Sequence, residues 1–191
     1  MIPSSIIVNG YDIPVRMVSH LYRDRSIYDC YSNADMTIDL DASMSYQRSG
    51  LALCHAIVTA IEDIYLLDME DREIRDVSVV FYDIIKNKRI DIDGDIPDYI
   101  YICNCKIDVK SAENLIENYA RYGSYSTMDM NIEYDSSMVI QRKWVMICHE
   151  VVECIKDVYA LELEENEIQV LALLLYDIIK NKRVDFDGDS V

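Results

Sequence analysis

The feature that most constrains the fold of this chain is a long internal repeat. Residues 82–89, with the sequence YDIIKNKR, recur without change at 176–183, which is 94 positions further on. The same offset relates three pairs upstream: Asp63 and Asp157, Tyr65 and Tyr159, and Met44 and Met138. Similarity at one fixed offset over most of a chain is typical of duplicated structural units. The sequence therefore predicts two tandem domains, which we call repeat 1 (1–95) and repeat 2 (96–191).

Repeat 1 carries the pattern of a small sheet followed by two long helices. Residues 6–8 and 11–16 flank an Asn-Gly pair, which is the strongest short signal for a two-residue hairpin turn. A third strand is predicted at 36–40, and apolar residues at helical spacing predict long helices over 44–67 and 70–88. Strands grouped ahead of helices, without alternation, favour the α+β class. We expect two such domains to pack in a pseudo-twofold arrangement.

Repeat 2 is expected to follow the same plan with some differences among its strands. Its sequence predicts a single strand over 99–107, a short helix over 111–122 and a strand over 125–134, before two long helices. Within the first strand, alternation places Cys103 and Cys105 on one face. The alternation favours buried strand thiols over metal ligands, and thiols are expected in place of disulfides because the sequence lacks the features of a secretion signal.

The charge of the chain narrows the choice of partners. Thirty-five acidic residues stand against 18 basic ones, which gives a formal net charge of −17 at pH 7. Such a charge opposes binding to DNA or RNA, because proteins bind these polymers by neutralising phosphates with cations. A carboxylate array could instead imitate a phosphate backbone and bind the basic groove of a nucleic-acid-binding protein, or it could serve solubility alone. No apolar run reaches the ~20 residues of a membrane span, so no membrane partner is expected.

The order of elements carries a resemblance to a known family. In each repeat the first long helix contains a histidine, and the second ends in Tyr-x-x-Ile-Lys-Asn. This order, after a small sheet, resembles the small HExxH metallopeptidase domains common in phages, which are minimal gluzincins related to the peptidases that cleave prophage repressors. The resemblance covers both repeats. It implies a zinc ion held by two histidines one helical turn apart and by a glutamate of the next helix, with the HExxH glutamate polarising a zinc-bound water.

The HExxH motif is incomplete in repeat 2. His149 and Glu150 match the first ligand and the catalytic glutamate, whereas Glu153 stands at the place of the second histidine. The expected glutamate of the last helix falls at Gln169, with Glu167 two residues away. A divergent metal site of His149, Glu153 and Glu167 stays open, and it makes a metal-dependent peptidase the alternative function.

Repeat 1 departs further from the motif. Only His55 survives, because the second histidine position holds Thr59 and the glutamate position falls at Arg75. A catalytic zinc needs at least three protein ligands, which neither repeat supplies in the family's pattern. We therefore interpret His55, His149 and Glu150 as vestigial, and we expect a pseudo-enzyme without zinc or another cofactor.

Tyrosine is the dominant aromatic residue, with 15 copies against two phenylalanines and one tryptophan. Tyrosines are enriched at protein interfaces. Six of them lie in stretches outside the clearest duplication and are the predicted binding residues: Tyr22, Tyr28, Tyr31, Tyr119, Tyr122 and Tyr125. The alternative is that an AT-rich genome favours tyrosine codons without regard to function.

Together these patterns predict a non-catalytic, acidic phage protein of the host cytoplasm, monomeric or homodimeric, that binds a host protein and inhibits or redirects it. A defence nuclease or the transcription machinery is the expected class of target, by association with phage domains alone. A third hypothesis is a homo-oligomeric subunit or a virion component, for which a large apolar interface is expected.

Overall fold

The computed structural model describes residues 2–8, 10–19, 30–102, 104–113, 115, 123–184 and 186. These residues form two four-stranded sheets, and each sheet is followed by two helices. The predicted α+β class and the tandem duplication are thereby confirmed. None of the helices in the described ranges combines the length and the apolar character that crossing a bilayer requires.

Repeat 1 builds its sheet from four strands: β1 (Ser5–Val8), β2 (Tyr11–Val18), β3 (Tyr31–Ser32) and β4 (Thr37–Asp41). Their spatial order is β1-β2-β4-β3. The strands β1 and β2 form the predicted antiparallel hairpin, β2 runs parallel to β4, and β3 pairs with β4 in antiparallel orientation. Two helices follow the sheet: α1 (Tyr46–Tyr65) and α2 (Asp71–Lys86).

Repeat 2 contains the corresponding elements: β5 (Tyr99–Ile102), β6 (Cys105–Ala112), β7 (Gly123–Ser126), β8 (Asn131–Asp135), α3 (Ile140–Tyr159) and α4 (Glu165–Lys180). Its strand order, β5-β6-β8-β7, is that of the first sheet. In each repeat the long first helix packs on the sheet, and the second helix packs on the first. The layers are therefore sheet, long helix and second helix.

The predicted single strand over 99–107 is wrong, because the chain turns there. The strand β5 ends at Ile102 and β6 begins at Cys105, so these residues form a hairpin like that of repeat 1. Asn104 has φ 66° and corresponds to Gly10, with φ 84°, in the first hairpin. Asparagine tolerates this left-handed conformation, while the alternation of apolar residues runs on through the turn and conceals it. Cys103 lies outside the described residues, and the five described cysteines are free thiols.

Two further predictions for repeat 2 need correction. The predicted helix over 111–122 begins too early, because Ser111 and Ala112 belong to strand β6; Leu115 is helical, and positions 114 and 116–122 lie outside the described residues. The predicted strand over 125–134 is two strands, β7 and β8, which pair with each other in antiparallel orientation. The turn between them includes Met130 with φ 49°. Methionine is not a residue that signals a left-handed turn, so the sequence contains no warning of it.

The backbone is reproduced even where side chains differ. Left-handed φ angles occur at four corresponding pairs of positions: Gly10 and Asn104, Met36 and Met130, Leu66 and Ala160, and Lys88 and Lys182. Three of these pairs contain neither glycine nor asparagine, although the left-handed region costs an ordinary L-residue roughly 1–2 kcal/mol. The fold therefore requires these turns strongly enough to hold unfavourable residues in them.

The compact units of the structure do not coincide with the sequence repeats. Unit 1 consists of Met1–Asn87 together with Asn181–Val191, and unit 2 consists of Lys88–Lys180. With repeats at 1–95 and 96–191, the segment after α2 belongs to unit 2 and the segment after α4 belongs to unit 1. Each repeat thus contributes its last segment to the unit that the other repeat forms.

The helix end at Leu66 gives a test of backbone strain. Leu66 caps α1 with φ 54° and ψ 46°, and it is 87% exposed. Leu66→Gly should raise the free energy of unfolding by about 0.5–1 kcal/mol, because glycine relieves the left-handed strain but loses more entropy on folding. Urea unfolding followed by circular dichroism measures the change. The control is Leu66→Ala, which removes the side chain and keeps Cβ; an equal gain in that variant would contradict the argument.

Candidate functional site

The candidate site of repeat 2 begins on the long helix α3. His149 and Glu153 are one helical turn apart and therefore share a face of this helix. Cys148 and Val152, which precede each of them, are fully buried in the core. His149 leaves 15% of its side chain exposed. The pair therefore lies at the margin of the core, where polar ligands can reach it.

Glu165 completes the cluster from the first turn of α4. Its Oε1 lies 3.5 Å from Nε2 of His149. One ligand atom each from His149, Glu153 and Glu165 lies within 4.8 Å of the other two. On the other side of the ring, Nδ1 of His149 is 3.1 Å from Oε1 of Glu150, which is buried. Carboxylates therefore approach both ring nitrogens.

Glu167, the ligand expected from the sequence, has a different role. Its Oε2 accepts a hydrogen bond from the backbone N–H of Glu164 at 2.7 Å, at the start of α4. In repeat 1, Glu73 makes the corresponding bond to the backbone N–H of Glu70 at 2.9 Å. A contact present in both repeats indicates a helix cap, which satisfies a backbone N–H that has no partner within the helix. The structure thus places Glu165, and not Glu167, in the cluster.

The donor set of this cluster fits a cation. One imidazole and two carboxylates are ligands that zinc and manganese accept. The Glu150 carboxylate behind the ring matches the outer partner that orients many metal-binding histidines. A protonated His149 would also be attracted to these carboxylates, since a carboxylate oxygen lies near each ring nitrogen. The geometry is therefore suited to a positive charge, either that of a metal ion or that of the imidazolium itself.

Repeat 1 lacks this set. It places His55, Thr59 and Asp71 at the corresponding positions. His55 is 8% exposed, and the Thr59 hydroxyl donates to the carbonyl oxygen of His55 at 3.0 Å. Ala56 stands where repeat 2 has Glu150, so no carboxylate follows the histidine. Within the described ranges, the only group of side chains that could hold a metal is the one in repeat 2.

Two of the six predicted binding tyrosines are described, and both have a structural contact. Tyr31 donates to Oδ2 of Asp63 at 3.0 Å, and Tyr125 donates to Oδ2 of Asp157 at 3.3 Å. These two contacts correspond in the two repeats, and each joins an edge strand of a sheet to its long helix. Four of the predicted residues lie outside the described part of the chain: Tyr22, Tyr28, Tyr119 and Tyr122.

An acidic cluster that the sequence reasoning missed lies where α1 ends and α2 begins. We define the acidic cluster of unit 1 as Glu62, Asp63, Asp68 and Asp71. The pKa of Glu62 is raised, first by burial and then by the negative charges of the other three residues. The available signal was the placement of Glu62 and Asp63 in the last turn of α1, where the helix dipole disfavours acids.

Repeat 2 retains most of this charge. The residues that correspond to the four members of the cluster are, in order, Lys156, Asp157, Glu162 and Glu165. Lys156 donates from Nζ to the carbonyl oxygen of Leu163, which caps the connection to the next helix. Three of the four positions are therefore acidic in both repeats, while Lys156 replaces Glu62 in repeat 2.

No protein-family model matches this chain, and no curated protein or solved structure is significantly similar to it.

The tyrosine contact gives a prediction for alkaline pH. Burial, with the hydrogen bond to Asp63, raises the pKa of Tyr31 from 10.0 to about 12. Since the folded state then holds the phenolic proton more tightly, this stabilisation is complete below pH 10 and is lost as the pH rises towards 12. Tyr31→Phe should lower stability at neutral pH by about 1 kcal/mol and should weaken the decline at high pH. Urea midpoints across the pH range test this, and identical pH profiles for the two proteins would contradict it.

Proposed function

We propose that this chain is a non-catalytic, acidic, phage-encoded protein that binds a basic surface of a host protein and inhibits or redirects that protein. The observation that supports the proposal most is the acidic cluster of unit 1, in which burial, and after it the repulsion from the three neighbouring carboxylates, raises the pKa of Glu62. The net charge of −17 extends the same property to the chain as a whole. A positively charged partner would relieve this repulsion, so binding and charge are linked.

The position of the cluster argues against a purely structural origin. Glu62 and Asp63 belong to the last turn of α1, which contains no basic residue. That end of a helix carries a partial negative charge, so an acid there costs about 0.3–1 kcal/mol. Asp71, by contrast, lies in the first turn of α2, where the dipole favours it. Stability accounts for Asp71 through the helix dipole and for Asp63 through the hydrogen bond from Tyr31, and it does not account for Glu62.

Three of the four positions of the acidic cluster keep a negative charge in repeat 2, while Lys156 replaces Glu62; of the two acidic ligand positions, repeat 1 keeps one, Asp71. Asp68 corresponds to Glu162, so the charge is the same although the side-chain length differs. The ligand position Glu153 corresponds to Thr59, so there the charge itself is lost. A partner that requires charge without fixed ligand geometry is a basic protein surface, where electrostatic complementarity guides association.

Nucleic-acid mimicry is the form of binding that suits this charge. Surface carboxylates can occupy a groove that otherwise neutralises phosphates with lysine and arginine. A defence nuclease or a protein of the transcription machinery offers such a groove. Binding through exposed charges weakens with added salt because counterions screen the attraction.

Neutralising two residues of the acidic cluster should abolish partner binding and leave the protein folded and slightly more stable. For a Glu62→Gln, Asp68→Asn double variant we expect the free energy of unfolding to rise by about 0.5–1 kcal/mol, because repulsion is relieved. The same variant should lose host proteins that the wild type captures from a lysate of the host. Urea unfolding and quantitative mass spectrometry of the captured proteins measure the two effects.

The matched control is an Asp12→Asn, Asp98→Asn double variant, which removes the same charge at two exposed positions outside the cluster. Each protein that depends on the cluster is then purified and titrated with the wild type, at rising salt and with duplex DNA as competitor. Displacement by DNA supports mimicry. Equal capture by the wild type and both variants contradicts the proposal.

A metal-dependent peptidase is the second candidate, and the grouping of His149, Glu153 and Glu165 is the observation that favours it. These residues would hold the metal, and Glu150 would orient His149 through Nδ1. Zinc at this place would supply Lewis acidity and a bound water of lowered pKa. In the family that repeat 2 resembles, the residue after the histidine polarises that water, whereas here the Glu150 carboxylate is directed at the imidazole ring.

Repeat 1 supplies the control for a test of metal binding. The second candidate predicts about one zinc or manganese ion per chain in protein purified without chelator. The ion should be lost in Glu153→Thr, which gives repeat 2 the residue found at Thr59, and kept in His55→Ala. Elemental analysis measures the metal. Chelator-sensitive peptide cleavage by the wild type would replace the leading proposal with this one, and a wild type that binds no metal would remove the second candidate.

A further inference from the structure

The last described residues of each repeat pack in the unit formed mainly by the other repeat. The chain leaves unit 1 after Asn87 and returns to it after α4. We define tail 1 by Ile90 and Ile92, which belong to unit 2, and tail 2 by Val184 and Phe186, which belong to unit 1. All four side chains are buried. The two tails occupy corresponding positions in the repeats, so the exchange is reciprocal.

In unit 1, tail 2 packs against α1 at Gly50, a helix position that has no Cβ. The Phe186 ring packs edge-on against Tyr82, with 5.1 Å between ring centroids. Gly50 of α1 lies beneath both rings: a Cβ added there would be 2.6 Å from Cε2 of Tyr82 and 3.0 Å from Cε1 of Phe186. Glycine at this position therefore makes the space that the phenylalanine fills.

In unit 2 the large residue is on the helix and the smaller one is in the tail. Trp144 stands at the position that corresponds to Gly50, and Ile92 stands at the position that corresponds to Phe186. Trp144 is 1% exposed and Ile92 is 7% exposed, so both belong to the core of unit 2. The adjoining residue Asp93 accepts a hydrogen bond from Nζ of Lys180 at 3.0 Å, which fixes tail 1 to α4. At the positions that correspond to Gly50 and Phe186, unit 2 therefore has a large helix residue and a smaller tail residue.

From this size reversal we infer that each tail is selected for the other repeat's unit, and that the residues at positions 50 and 144 direct the exchange. A tail kept within its own repeat would bring Phe186 to Trp144, where two large aromatic side chains would overfill the core. It would also bring Ile92 to Gly50, where a cavity would remain. The exchanged arrangement avoids both costs, so the core of each unit is completed by a tail from the other repeat.

Double-mutant cycles in the full chain test this inference, because residues in contact give non-additive effects on stability. The first cycle combines Gly50→Ala with Phe186→Leu. We expect Gly50→Ala to lower the urea midpoint about twice as far in the wild type as in the Phe186→Leu background, because the shorter side chain removes the contact at position 186 and gives the Tyr82 ring space to move away from the new methyl group. The second cycle combines Trp144→Phe with Ile92→Ala and should also be non-additive. Far-UV circular dichroism reports unfolding in all variants.

The control cycle combines Trp144→Phe with Phe186→Leu, which belong to the same repeat but to different units. Additive midpoint shifts are expected there. Non-additive shifts in this control, with additive shifts between positions 50 and 186, would show that the tails stay within their own repeats and would overturn the inference. Additivity in all three cycles would overturn it as well. The substitutions are conservative, and Phe186→Met replaces Phe186→Leu in a background that does not fold.

Discussion

Burial of the long helix on two sides is the interaction on which each unit depends. The helices α1 and α3 lie between a sheet and a second helix, and eleven of the 20 residues in α1 are buried. Apolar burial contributes ~25 cal/mol per Å², so a helix covered on both faces holds the sheet and the second helix in one core. The same helices carry His55 and His149. The geometry of the candidate site is therefore set by the core that surrounds it.

Comparison of the two repeats distinguishes the buried polar residues that the fold requires, which occur in both repeats, from those that occur in only one. Asp41 and Asp135 are each 1% exposed, and each accepts a hydrogen bond from the backbone N–H two residues later. Glu73 and Glu167 cap the second helices in the same manner. Such buried carboxylates recur because losing a partner for a buried N–H is costly. The fold does not require the cluster around His149, since repeat 1 has the same fold with Thr59 in place of Glu153.

Local patterns made much of this architecture predictable. The helices α1 and α2 begin and end within two residues of the predicted limits, because apolar spacing and charged ends act over short distances. The turn at Asn104 was missed because alternation continues through it. Glu165 was missed as the neighbour of His149 because its place depends on how the first turn of α4 meets α3, which is a tertiary contact. The exchange of tails has a trace in the sequence, the opposite size differences between Gly50 and Trp144 and between Phe186 and Ile92 at corresponding positions.

Exchange of the tails also imposes an order on synthesis. Unit 1 contains the first residues to leave the ribosome, yet its core includes Phe186, which is made 99 residues after Asn87. At ~5–20 residues per second, this leaves roughly 5–20 s during which the surface around Gly50 and Tyr82 is uncovered. Unit 2 receives Ile92 before most of its own residues exist. The half of the protein that is translated first is therefore the half that finishes folding last, and a chaperone has time to bind it.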